Sequence, residues 1–61
     1  MKLNEYISTC SNWNKPIIVR DANTDSYCFT IASARTAIDR NLSWDCDRIE
    51  PYKDCYIAYT L

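Results

Sequence analysis

Not one of the 61 residues is glycine. Glycine reaches positive φ without steric cost and lets backbone approach a ligand closely. A chain without it must make its tight turns with Asn or Asp, the residues that best tolerate left-handed backbone. The same absence removes several chemistries. The dinucleotide fingerprint and the phosphate-cradling P-loop both require glycine, and so does the nucleophile elbow of α/β-hydrolases.

Histidine is missing as well, and with it the commonest general base and proton shuttle. The cysteines Cys10, Cys28, Cys46 and Cys55 are scattered. Structural zinc sites want cysteine or histidine pairs two to four residues apart, whereas the closest pair here, Cys46 and Cys55, is nine positions apart. A disulfide framework needs an oxidising compartment. The opening Met1-Lys2-Leu3-Asn4-Glu5 turns polar at once, unlike a signal peptide. The thiols therefore read as small buried hydrophobes, and the expected location is the cytoplasm. No apolar run approaches the roughly 18 residues that cross a membrane. The carboxylates Asp45, Asp47, Glu50 and Asp54 cluster in sequence, interleaved with Arg48 and Lys53, and read as a solvated strand and turn without calcium-loop spacing. No catalytic residue, cofactor or metal is expected.

The size allows one domain, residues 1–61, whose core is small. Eight acidic and seven basic residues give a net charge of −1. Nucleic-acid binders usually carry a basic excess, so a nucleic-acid partner would need a local patch.

Periodicity supplies the elements. Leu3, Tyr6, Ile7 and Cys10 share one helical face, which predicts a helix over Leu3–Trp13 with Asn4 as a cap. Pro16 ends it. The β-branched run Ile17-Ile18-Val19-Arg20 predicts a strand, and the polar stretch Asp21–Ser26 a turn. Tyr27–Ile31 predicts a second strand, antiparallel to the first, with Tyr27, Phe29 and Ile31 on one inward face. Ser33 is a good cap for a helix carrying Ala34, Ala37 and Ile38 inward, ended near Asn41. Trp44–Glu50 predicts a third strand with a bulge. Pro51–Asp54 predicts a turn, and Cys55–Leu61 a last strand. The order is α-β-β-α-β-β. The expected fold is α+β, a mainly antiparallel four-stranded sheet with helices on one face.

Two candidate binding surfaces follow. Arg35 and Arg40 project from the second helix, where they suit phosphate or an acidic surface. Tyr52 and Tyr56 do not fit inward positions, and tyrosine is favoured at protein interfaces. Tyr56 is expected on the helix-free face with Cys28, Thr30, Ala58 and Thr60. Tyr6, Tyr27, Phe29 and Tyr59 are expected to build the core.

The stretch Phe29-Thr30-Ile31-Ala32-Ser33-Ala34-Arg35-Thr36-Ala37, followed by Arg48-Ile49-Glu50 and Tyr56-Ile57-Ala58-Tyr59, resembles the layout of small phage-encoded inhibitors with a ββαββ core. It is similar in particular to one family of type I-F anti-CRISPR proteins, and its strand–helix–strand arrangement also resembles phage inhibitors of bacterial RNA polymerase. The resemblance spans roughly residues 17–60. The N-terminal helix and the glycine-free last hairpin depart from both. It implies a non-enzymatic inhibitor from a phage or mobile element that docks on a host or defence protein complex. It also implies basic helix residues near a guide-binding surface, which only Arg35 and Arg40 match by position. Two other classes stay open: a small nucleic-acid-binding regulator using Lys15, Arg20, Arg35 and Arg40, and a disulfide-stabilised secreted toxin or inhibitor.

Overall fold

The computed structural model describes residues 1–61. Helix α1 (Leu3–Ser8) and helix α2 (Ala34–Asp39) accompany strands β1 (Ile17–Asp21), β2 (Tyr27–Ile31), β3 (Cys46–Tyr52) and β4 (Cys55–Thr60). The order is α-β-β-α-β-β, as the periodicity predicts. The strands form one sheet in the spatial order β2-β1-β4-β3. Two of its pairings, β1–β2 and β3–β4, are antiparallel, and the central β1–β4 pairing is parallel. The fold is α+β with a mixed, mostly antiparallel sheet.

Helix α1 stops five residues before Trp13. The hydroxyls of Ser8 and Thr9 donate to the carbonyls of Glu5 and Tyr6 at 2.8 and 2.7 Å, the local competition that makes these residues poor helix continuers. The Trp13 indole N–H donates to the Ile7 carbonyl at 3.0 Å, a second bond to an acceptor that the Cys10 amide also uses at 3.0 Å. Asn4 is not the cap. Its amide donates to Ser43 Oγ at 3.4 Å, and that hydroxyl donates to Asn4 Oδ1 at 2.8 Å. The helix start is thus capped from a distant loop.

Helix α2 follows its sequence signals closely. Ser33 Oγ accepts from the Thr36 amide at 3.1 Å. At the other end the Asn41 amide donates to Ile38 and the Leu42 amide to Ala37, at 3.0 and 2.8 Å. With Asn41 at φ 54°, this is a Schellman ending. Asp25 (φ 58°) takes the left-handed position in the β1–β2 turn. Lys53 (φ 48°) takes it in the two-residue loop between Tyr52 and Cys55. Lys53 departs from the Asn/Asp expectation: the loop needs positive φ at its first position, and neither Asn nor Gly stands there. Pro51 and Tyr52 belong to β3 rather than to the turn.

The core lies between the sheet and the two helices. Leu3 and Ile7 of α1 and Ala34 and Ala37 of α2 meet Ile17, Val19, Ile31, Cys46, Ile49, Tyr56 and Ala58. The predicted bulge in β3 falls between Cys46 and Arg48. A second bulge, between the pairs Val19–Phe29 and Arg20–Tyr27, leaves Cys28 unpaired in β2. It turns Tyr27 to the helix-free face, where its hydroxyl lies 2.9 Å from Thr30 Oγ1. Tyr27 and Phe29 are therefore not core residues. They are 59% and 46% exposed, because β2 is an edge strand and neither helix covers them. No helix is long and apolar enough to cross a membrane.

Candidate functional site

The face of β4 that carries Tyr56 is the main correction to the sequence reading. Tyr56 pairs with Ile17 and Ala58 with Val19, so both point toward the helices, and Tyr56 is only 5% exposed. Its ring packs edge-on against Tyr6 with centroids 6.1 Å apart. Its hydroxyl donates to the Asn12 carbonyl at 2.9 Å, which satisfies the one polar atom that burial threatens. Lys15 Nζ lies 5.3 Å from the ring centre. Burial pushes the phenol upward in pKa, the neighbouring Cys10 and Tyr6 add to the rise, and the Asn12 hydrogen bond opposes it. Tyr56 builds the core and offers almost no surface to a partner. Ala58 likewise leaves the expected outer surface.

The helix-free face is composed instead of Ile18 and Arg20 on β1, Tyr27 and Thr30 on β2, Ile57 and Tyr59 on β4, and Arg48, Glu50 and Tyr52 on β3. Strand register places them there because successive side chains alternate across a strand. Tyr52 keeps the exposure the sequence predicts, at 51%, with Lys53 Nζ 5.5 Å from its ring centre. Tyr59 is buried, as expected, but on this outer face. The Arg48 guanidinium covers its ring at 3.8 Å, and its hydroxyl donates to Glu50 Oε1 at 3.4 Å. Arg20 is tied to Asp25 through Nε at 3.0 Å and through the Asp25 carbonyl. The face is therefore an aromatic and aliphatic surface studded with fixed charges.

Arg35 and Arg40 are both exposed but do not form one patch. Five residues apart, they stand about 140° apart around the helix. The Arg35 guanidinium lies 5.7 Å from the Trp13 ring centre. Arg40 lines a shallow groove with Phe29, Ile31 and Leu42. Nor do Lys15, Arg20, Arg35 and Arg40 share a face: Lys15 sits over the core side of the sheet and Arg20 on the open side.

All four cysteines are free thiols. Cys46 is fully buried, and burial pushes its thiol upward in pKa against the opposing pull of the N-terminal ammonium. Cys28 is exposed, which departs from the buried-hydrophobe reading. No group of three or more carboxylates and thiols converges as metal ligands.

Sequence reasoning missed Tyr27, Arg48 and Tyr59 as members of the open face. A period-2 pattern gives two faces but not which one meets the helices. In β4 both candidate faces are apolar, so hydrophobicity does not choose between them. Comparison with protein-family models, curated proteins and solved structures found no match to this chain.

Proposed function

We propose that this chain is a small non-enzymatic binding protein that inhibits a larger host or defence protein complex in the cytoplasm by docking on it. On this reading it is a phage or mobile-element accessory factor that evades antiviral defence. The observation that carries the binding half is the open sheet face. Tyr27 and Tyr52 are exposed there beside the Arg48–Tyr59 stack. Tyrosine and arginine are the side chains that dominate interface energetics, and exposed apolar surface of this kind marks contact sites. The inhibitory half rests on the resemblance of residues 17–60 to phage-encoded inhibitors.

The test has two arms. Tagged protein is used to capture partners from bacterial lysates, with Tyr52→Ala and Arg48→Ala as controls on the open face and Arg35→Ala as the control on the helix side. A stoichiometric partner lost with the first two and kept with the third supports the reading. Expression in cells with an active type I-F CRISPR system should restore phage plating. Unchanged plating removes the anti-CRISPR assignment while leaving the binding face to the capture experiment.

A nucleic-acid-binding regulator is favoured by one feature of the same face: tyrosines beside arginines are the arrangement on which single strands stack. Asp47 and Glu50 next to Arg48 weigh against it. Its signature is single-strand affinity that falls steeply with salt. A disulfide-stabilised toxin requires paired cysteines, and a mass shift on reduction would reveal them.

A further inference from the structure

The two edges of the sheet are built differently. Edge strand β3 carries Asp47, Arg48 and Glu50, a bulge, and Pro51, which has no N–H to offer. These are the devices that keep an edge from pairing with another chain. Edge strand β2 also has a bulge, at Cys28, but carries none of the charges and no proline: Tyr27-Cys28-Phe29-Thr30-Ile31 is uncharged throughout. Outside its ladder with β1, no backbone N–H or C=O of these five residues has a backbone partner. Beside this row of open groups lies the groove formed by Phe29, Ile31, Leu42 and Arg40.

We propose that β2 pairs antiparallel with β2 of a second copy, which joins two sheets into one of eight strands. The register follows from the faces. A two-fold axis at Phe29 would set Ile31, which faces the helices, opposite Tyr27, which the bulge turns the other way. An axis at Cys28 would fall on the bulge itself. An axis at Thr30 sets Phe29 opposite Ile31 in both directions, all four on the helix side, and Thr30 opposite Thr30 on the open side. Aromatic–β-branched and Thr–Thr cross-strand pairs are both favourable. Charge agrees with this arrangement. The end of β1 and the turn before β2 hold Asp21 and Asp25 against Arg20 alone, while α2 and its C-cap after β2 hold Arg35 and Arg40 against Asp39 alone. Antiparallel pairing brings the acidic end of each copy to the basic end of the other. A two-fold contact of this kind uses the same patch twice and closes on itself. It does not rest on the function proposed above, and it leaves the open sheet face uncovered and doubled in extent.

Sedimentation equilibrium across a wide concentration range should show the 7.1 kDa chain passing to twice that mass. Phe29→Lys and Thr30→Lys should hold the protein at the single-chain mass with the circular dichroism of the parent; Phe29 also packs on Trp44, with ring centres 5.8 Å apart, whereas Thr30 tests the edge alone. Tyr52→Lys at the other edge should leave association intact. In a Cys28→Ser background, Thr30→Cys copies should link to one another with oxidised glutathione as the electron acceptor. Opposed residues of an antiparallel pair lie about 4.5–5.5 Å apart between Cα atoms, within the span of a disulfide. A single-chain mass at every concentration overturns the proposal, whether or not an extended peptide binds the edge. So does a dimer that persists in both lysine variants.

Discussion

The Arg48 guanidinium lies 3.8 Å from the ring centre of Tyr59, two strands of one hairpin locking a charge over an aromatic on a face no helix covers. The ring is thereby buried in the open, and the arginine stem supplies part of that cover. Arg48→Ala should destabilise the fold by about 1 kcal/mol, since exposed cation–π pairs contribute about 0.5–1 kcal/mol and stem packing is lost with them. Arg48→Lys should recover only part of the loss, because an ammonium does not stack as a planar guanidinium does. Urea unfolding followed by tryptophan fluorescence measures both. Equal stability of all three proteins would show the stack to be energetically silent.

The cap of α2 is the next expected weak point. Ser33→Ala removes the acceptor of the Thr36 amide and should cost about 1 kcal/mol. That corresponds to roughly 4–8 °C in Tm for a domain of this size. Ser33→Asp should retain most of the stability, because its carboxylate accepts the same bond.

At Lys53 a substitution should help. A non-glycine residue in the left-handed region costs about 1–2 kcal/mol, and Lys53 sits there at φ 48°. Lys53→Gly should raise stability by about 0.5–1 kcal/mol, the gain being reduced by the extra freedom glycine has in the unfolded chain. Lys53→Asn should gain less. Thermal melts of the two variants against the parent decide it, and a lower Tm for Lys53→Gly would show that the lysine side chain over Tyr52 outweighs the backbone strain.

Stability should fall at alkaline pH. Burial raises the pKa of Tyr6, Tyr56 and Cys46 above their ordinary values of 10.0, 10.0 and 9.0. Above those ordinary values the folded chain holds protons that the unfolded chain has released, so the stability these groups contribute is complete below about pH 9 and is lost as pH rises through their raised values. Urea midpoints measured from pH 7 to 11 should be flat up to about 9 and then decline. Tyr56→Phe should flatten part of that decline while costing about 1 kcal/mol at pH 7 for the hydrogen bond to Asn12.

Thiol chemistry should sort the cysteines by position. Cys28 is exposed and Cys46 buried, so an aromatic disulfide reagent should modify Cys28 first and reach Cys46 only on unfolding. Peptide mapping after partial labelling identifies the order.

Local signals carried most of the elements. Ser33 and Asn41 bracket α2 because capping is decided within a few residues, and the bulge in β3 was visible as a broken alternation at Trp44, Cys46 and Ile49. The facing of side chains was legible only where one phase of a strand is polar. In β4, Tyr56 and Ala58 compete with Ile57 and Tyr59 for the core, and the choice is made by β1, nearly forty residues away in the chain. Tyr27 was misplaced for a different reason: the bulge at Cys28 shifts the alternation by one residue, and no residue type there announces it. The candidate site shifted accordingly, from Tyr52 with Tyr56 to Tyr52 with Tyr27, Arg48 and Tyr59.

The parallel contact between β1 and β4 has a consequence for assembly. The β1–β2 hairpin and strand β3 do not touch within the sheet, and β4, which follows both in the chain, fills the gap between them. It acts as a keystone. A ribosome that has delivered everything up to Lys53 has made the pieces of a sheet with no strand between them, and the next seven residues supply it. The same geometry makes the Lys53–Asp54 loop a natural place to divide the protein, with a short β4 peptide as the complementing half of a split reporter.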